Sequence, residues 1–202
     1  AYASDPAALP AAIVAERLGL PTNPSASVAV LGVKHNFRKF LGENGFACPR
    51  NFTFKVGADI EELKEKMQEL DFPIVVKPTD SSGSKGVTVL KSAEGLDAAI
   101  ALAESYSRNK ILIVEEFIES NFPAVIGGDI FVWDGKVILY GEMACLRGSE
   151  HNGLIPVGKK SPAGLNSKQI ENVHKELQRI ITMLGIKFGE LNIEILLDKN
   201  DN

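Results

Sequence analysis

Apolar positions along the chain change their period near Asn51. Before it they recur at helical spacing, through Ala8, Ile13, Val14 and Leu18, behind an Asp5-Pro6 start and ahead of a Gly19 stop. One helix is predicted there. Pro21 to Ser27 (PTNPSAS) reads as a linker, and Lys34 to Gly45 as a second helix with Phe37, Phe40 and Leu41 on one face. From Asn51 the order becomes strand, helix, strand, strand, helix, strand. Asn51 to Lys55 is strand-like, and Asp59 to Leu70 is an amphipathic helix with an Asp N-cap. A hairpin follows, then a helix from Ala93 to Ser105 and a strand from Ile111 to Phe117. These pieces predict a compact α+β unit. Further on, strands at Asp129 to Val132 and Val137 to Tyr140 meet through Asp134-Gly135, a strong hairpin signal. Lys168 to Leu184 is an amphipathic helix, and Leu191 to Leu197 a strand leading into turn residues.

The hairpin between Phe72 and Ser92 is the stretch around which the chain is organised. The β-branched run Ile74-Val75-Val76 ends in Lys77-Pro78, a polar turn Ser81-Ser82-Gly83-Ser84-Lys85-Gly86 follows, and a second strand runs from Val87 to Leu90. Gly83 and Gly86 allow the backbone to approach an anion, N–H groups and Ser hydroxyls can donate to it, and Lys77 and Lys85 supply positive charge. A polyphosphate is the natural ligand. Walker and dinucleotide loops both lead into a helix, whereas these glycines lead into a strand, so the phosphates would lie under a hairpin. A mobile polar hairpin without a ligand is the alternative on this stretch alone.

Composition narrows the classes. At 202 residues, 45% hydrophobic and 24% charged, the chain can bury one large or two small cores. A net charge of -4 argues against a general nucleic-acid or membrane-surface binder, so any anion site must be local. Cys48 and Cys145 have no metal-like spacing and are expected to be buried thiols in a reducing cytosol. No apolar run approaches the roughly 18 residues that span a bilayer, and a signal peptide is not evident. A cytoplasmic protein is expected.

Four stretches, in order and spacing, resemble the ATP-grasp superfamily, especially the branch with carbamoyl-phosphate synthetase, biotin carboxylase and the carboxylate-amine ligases. Lys34, followed by Phe37 and Arg38, is similar to the lysine-bearing helix of that family, although Val33 replaces the aspartate that usually precedes the lysine. VVKPTDSSGSKGV looks like its strand lysine and glycine-rich lid, VEEFI (Val114 to Ile118) like its adenine-binding hinge, and GELNIEILLD (Gly189 to Asp198) like its first magnesium-ligating strand. The resemblance covers nearly the whole chain and implies an ATP-grasp fold of α+β class, two lobes with ATP sandwiched between them. The implied division is residues 1–22 as the tail of a preceding domain, 23–50 as linker and lysine-bearing helix, 51–118 as the lid subdomain, and 119–202 as a large subdomain truncated at its C-terminal end.

The resemblance also assigns roles. Lys77 and Lys34 would reach the ATP phosphates from two sides, with Ser82, Gly83, Ser84, Lys85, Gly86 and Val87 forming the lid. Glu115, Glu116, Phe117 and Ile118 would hold adenine, mainly through the carbonyl of Glu115 and the N–H of Ile118. Glu194 would bind Mg2+. Taken alone, a lysine is ordinarily a solvated surface charge. Glu194 lies on an apolar strand, where an unneutralised carboxylate is costly, unless it occupies the solvent face of an alternating strand. Arg147 is the candidate for contacting the transferred phosphate or substrate carboxylate, because a guanidinium forms a bidentate fork; His151 and Lys159 are weaker candidates. Neither Glu119 nor Asp129 is clearly placed to hold the ribose. The strand that usually returns with a second magnesium carboxylate is not found, which reads as a fragment of a longer protein. The expected activity is phosphorylation of a small carboxylate by ATP, then attack on the acyl phosphate by an amine-type acceptor. Alternatives are phosphorylation of bicarbonate to make carbamoyl phosphate, or a nucleotide-binding module without catalysis. A homodimer is a candidate assembly.

Overall fold

The computed structural model describes residues 5–119, 125–147 and 156–201. The chain divides into two compact units, Ala29–Ile118 and Ala1–Val28 with Glu119–Asn202.

The first of these is built on strands β1 (Asn51–Lys55), β2 (Ile74–Pro78), β3 (Thr88–Leu90) and β4 (Ile111–Glu116), with helices α3 (Lys34–Glu43), α4 (Ile60–Met67) and α5 (Leu96–Tyr106). The sheet order is β1-β4-β2-β3 and every pair is antiparallel. Val75 pairs with Val89, so the expected hairpin is formed. Because side chains alternate across a strand, the central strands β2 and β4 divide their residues between two faces. Ile74, Val76, Leu112 and Val114 join Leu63, Met67, Leu96, Ala99 and Ala103 of α4 and α5 in a core that is almost fully closed to solvent. The opposite face carries Val75, Lys77, Ile113 and Glu115, so one lysine and one glutamate project together from the middle of the sheet. Asp59 caps α4 by accepting from the N–H groups of Glu61 and Glu62 at 2.8 and 3.2 Å.

The second unit contains α1 (Asp5–Arg17), β5 (Val125–Trp133), β6 (Lys136–Arg147), β7 (Pro156–Lys160), α6 (Ser167–Met183) and β8 (Phe188–Ile195). Its sheet runs β7-β6-β5-β8, again antiparallel throughout. Asp134 and Gly135 turn the β5–β6 hairpin with φ of 48° and 75°, the doubly left-handed geometry a two-residue loop prefers. Helix α6 begins with a capping box between Asn166 and Gln169 and lays Val173 and Leu177 on Ile126, Ile195 and Leu197. On the same side the ring of His174 stacks on Tyr140 at 3.6 Å, with its Nε2 2.6 Å from a Glu142 carboxylate oxygen.

Strand β5 begins at Val125 instead of Asp129 and β8 spans Phe188–Ile195 instead of 191–197; three other elements differ further from the sequence expectation. A helix α2 (Ser25–Gly32) begins inside the stretch read as a linker. Its sequence, SASVAVLG, is small and apolar all round, so no periodic face announces it. Strand β6 continues seven residues past Tyr140, through Gly141, and there accepts β7, whose PVGKK sequence has no alternation. Gly141, just past the expected strand, serves close approach between β5 and β6. Gly128 has φ +149° and faces Gly141, and a Cβ on Gly128 would lie 2.0 Å from the Gly141 carbonyl oxygen. Gly128→Ala is therefore expected to destabilise this unit by about 3 kcal/mol, read as a fall in the urea midpoint, because backbone rather than a flexible side chain blocks the new methyl. An unchanged midpoint would show that β5 and β6 are not this close.

Candidate functional site

Parity of β2 and β4 places Lys77 and Glu115 on one sheet face, and α3 adds two more cations one helical turn apart, Lys34 and Arg38. Arg38 grips Glu115 with two guanidinium nitrogens, Nε at 2.9 Å and Nη2 at 3.3 Å from its two carboxylate oxygens. The Lys77 ammonium donates to one of the same oxygens. Glu115 is only 4% exposed. Burial by itself works to raise its carboxyl pKa, but the Lys77 ammonium and the Arg38 guanidinium hold it below the ordinary carboxylate range. Arg38 is likewise opposed by burial and pushed upward by Glu115. The Lys34 ammonium is lowered, first by burial and then by the nearby Lys77 charge. Its N–H donates to the Thr79 carbonyl at 2.9 Å and its ammonium to the Ser81 carbonyl.

The glycine-rich loop begins where Lys34 holds Ser81. Ser82, Gly83 and Lys85 are exposed, Ser84 and Val87 half-buried, and Gly86 buried. Gly83 at φ 67° and Ser84 at 56° are successive left-handed residues, with Gly86 at 72° two further on, and such backbone lets N–H groups form a concave anion nest. A Cβ on Gly86 would meet Tyr106 at 3.1 Å, whereas one on Gly83 would meet nothing within 4 Å. The loop is packed at its second stem and open at its tip.

The hinge residues divide. Glu116 leaves the sheet face and pairs with Arg50 at 2.5 Å, also accepting from the N–H of Asp71 at 2.7 Å. The N–H of Phe117 donates to the Pro73 carbonyl at 2.9 Å; Phe117 is exposed and Ile118 half-buried. Sequence reasoning gave Glu115 a main-chain role and did not identify its carboxylate as the centre of the ion cluster. Arg38 was quoted only as part of a motif; its spacing of four from Lys34 on a helix was the available signal.

In the other unit Glu194 is exposed and paired in register with Gly127. Its carboxylate therefore needs no cation to offset burial, for it lies on the solvent face of an alternating strand with Glu190 and Asn192. Asn192 donates to the carboxylate of Asp129 at 2.8 Å and to the Gly128 carbonyl at 2.9 Å. Among the described residues no three His, Cys, Asp or Glu side chains gather as a metal cluster. Mg2+ is commonly held by one or two carboxylates, ligand phosphates and water, so a single exposed Glu remains chemically suited to it. Arg147 is exposed at the end of β6 and Lys159 exposed on β7, while His151 lies outside the described residues. Cys145 is buried as expected; Cys48 is only half-buried, its thiol pKa raised by that burial.

The ion cluster predicts a pH dependence. A carboxyl with a lowered folded pKa contributes stability in full above its ordinary value of 4.5 and loses it as pH falls from there through the lowered value. Glu115→Gln is expected to lower the melting temperature at pH 7, since Arg38 and Lys77 lose their counterion, and to flatten its decline below pH 4.5. A melting profile between pH 7 and 3 that keeps the slope of the unaltered chain would show that Glu115 is not the titrating group.

Comparison with known proteins follows the same lines. The chain is 22% identical over 186 residues to the carbamoyl phosphate synthase large chain of Thermotoga neapolitana, covering 91% of this chain and 16% of that protein. It is 26% identical over 195 residues to the formate-dependent phosphoribosylglycinamide formyltransferase of Wolinella succinogenes, covering 96% of this chain and 48% of that one. The chain thus spans between a sixth and a half of the curated relatives' length. Among solved structures, a biotin carboxylase from Campylobacter jejuni in complex with β,γ-ATP superposes with a TM-score of 0.78 at 20% identity, over 96% of this chain and 44% of that one. An L-amino acid ligase from Bacillus licheniformis gives 0.76 at 24%, over 98% and 47%. The fold is ATP-grasp. Residues 34–202, which include Lys34, the loop, the Glu115 cluster and Glu194, match the family model of the carbamoyl-phosphate synthase L chain ATP-binding domain, and the chain belongs to that family.

Proposed function

We propose that this chain is the nucleotide-binding part of an ATP- and Mg2+-dependent ligase that activates a small carboxylate as an acyl phosphate for attack by an amine or similar nucleophile. The observation that carries the reading is the cation cluster at the base of the glycine-rich loop. Lys34, Arg38 and Lys77 face two nearby carboxylates, Glu115 and Asp80, so positive charge is in excess where the loop N–H groups open. A polyphosphate supplies the missing negative charge.

In the proposed reaction a carboxylate oxygen attacks the γ-phosphorus of ATP, the bond to the β-γ bridging oxygen breaks, and ADP leaves. The amine nitrogen then adds to the acyl carbon and inorganic phosphate departs, the amine proton passing to solvent. Lys77 and Lys34 hold the phosphates, the Ser82–Gly86 loop covers them and excludes water from the hydrolysable intermediate, and the hinge from Glu115 to Ile118 receives adenine. Glu194 would hold the magnesium ion, which neutralises phosphate charge when bound. Arg147 is assigned to the transferred phosphate or the substrate carboxylate. Bicarbonate is a specific candidate for the carboxylate, favoured by the carbamoyl phosphate synthase relatives. A cytoplasmic location and a homodimer belong to the same proposal; two free cysteines support the first, and a structural neighbour described as a biotin carboxylase domain dimer the second.

Titration calorimetry with ATP and Mg2+ tests the binding half. Lys77→Ala should weaken ATP binding by about tenfold or more, since a charged hydrogen bond to phosphate is lost, and Lys85→Ala should do less. Equal affinity in the unaltered chain and Lys77→Ala would show that the phosphates lie elsewhere. For the catalytic half, the longer protein is screened for phosphate release against pooled carboxylates, bicarbonate included, and amines; tight ATP binding with no release in any pool would leave a binding module.

A further inference from the structure

The stem of the glycine-rich loop is tied down by a residue that the reaction scheme does not use. Asp80, whose side chain is 14% exposed, accepts the N–H of Asn109 at 2.8 Å and of Arg108 at 3.1 Å, and its own carbonyl accepts from the Arg108 guanidinium. One residue earlier, Asn109 donates its side-chain amide to Thr79 Oγ at 2.8 Å, and the N–H of Thr79 donates to the Ile111 carbonyl at 3.2 Å. From the other side Lys34 donates its N–H to the Thr79 carbonyl and its ammonium to the Ser81 carbonyl. Residues 79–81 are thus clamped between the 108–111 turn and the start of α3. At the far stem Gly86 is buried, and a Cβ on it would lie 3.1 to 3.3 Å from Tyr106 and Ala103, while a Cβ on Gly83 would meet nothing within 4 Å.

We infer that Asp80 is a positioning residue: by fixing the backbone of 79–81 it sets where Ser81 holds the Lys34 ammonium, and it confines loop closure to the tip from Ser82 to Lys85. Three features support it. The carboxylate spends its hydrogen-bonding capacity on backbone N–H groups of a distant turn, which is how a loop stem is fixed. The Ser81 carbonyl that holds Lys34 is one residue away, so release of Asp80 frees both partners of that contact. Within the loop, left-handed backbone and open space coincide at Gly83, in the tip, and not at Gly86. The inference rests on the nucleotide reading for its consequence, since Lys34 matters here as a phosphate contact.

The test combines ATP–Mg2+ calorimetry with hydrogen exchange of the amides from Thr79 to Val87, on the chain as it stands, with Asp80→Ala, Asp80→Asn and Arg108→Ala. Asp80→Ala is expected to weaken ATP binding about tenfold and to extend fast exchange from 82–85 into 79–81. Asp80→Asn, whose amide oxygen can still accept both N–H groups, should stay within about threefold of the unaltered chain. Arg108→Ala removes only the exposed arm of the clamp; it should fold normally and show a smaller loss in the same direction. An Asp80→Ala chain that melts earlier but binds ATP equally and exchanges equally would overturn the inference, as would Asp80→Asn failing as badly as Asp80→Ala. Absence of ATP binding in the unaltered chain would sink the nucleotide reading separately; the clamp would then be judged by nucleotide-free exchange, where unchanged rates at 79–81 in Asp80→Ala overturn it and a spread into them upholds it.

Discussion

A carboxylate buried in the middle of a sheet is the constraint on which the unit from Ala29 to Ile118 depends. Ionised Glu115 could not be tolerated there without compensating charge, because removing one from water is costly by several kcal/mol even after relaxation. Two cations face it, and they come from different directions: Lys77 from the neighbouring strand on the same face and Arg38 from α3. The positions of both are consequences of elementary periodicities, two residues for the strand and four for the helix. Arg suits its post because a planar fork engages both carboxylate oxygens, leaving Lys77 as the more easily exchanged partner. A buried pair of this kind is weak evidence for stability, since hydrophobic replacements often do as well. It is better evidence for a place where charge is kept ready.

That readiness is electrostatic and geometric together. The lowered pKa of Lys34 records a cation held against its preference, partly buried and facing a second ammonium. An arriving polyanion relieves both penalties at once, whereas a neutral ligand relieves neither. The loop beside it is arranged to respond: its two stems are fixed by hydrogen bonds at Thr79 and Asp80 and by packing at Gly86, and the φ > 0 residues lie between. Fixed stems reduce the conformational entropy lost when a tip of four residues closes, compared with closing a whole hairpin.

Much of this was legible in the sequence, and the reasons for the exceptions are physical. The β2–β3 hairpin, the capped α4, the Asp134-Gly135 turn and the amphipathic α6 each carry a local signal, whether alternation, an N-cap, a left-handed dipeptide or a 3.6-residue period. Helix α2 has no polar face to give a period, and β7 has no apolar alternation, because its place is decided by the far half of β6 and not by its own residues. Extension of β6 through Gly141 could not be read either, since a glycine that ends a strand and a glycine that permits close approach look alike until the facing strand, here β5 at Gly128 and Asp129, is known. In the candidate site, order and spacing drew attention to Lys34, Lys77 and residues 114–118, but the side-chain pairing of Glu115 depends on which strands are neighbours. Glu194 shows the converse. An apolar run suggested burial, yet alternation places its carboxylate in solvent.

The exposed Glu194 and the buried Glu115 stand for two ways in which a strand can carry a carboxylate. Glu194 is solvated on the exposed face of its strand with Glu190 and Asn192, and under the proposed function it would join a hydrated divalent ion at little desolvation cost. Glu115 is desolvated and committed to cations, so its contribution is to store and orient them. If Lys77 turns toward a phosphate, Glu115 keeps Arg38, and the buried charge is never left unpaired. A lone Lys77–Glu115 pair would not have that property, for donating the ammonium to a ligand would strand a carboxylate 4% exposed. Under the proposed function, Arg38 on α3 would let Lys77 be given to a ligand without stranding Glu115.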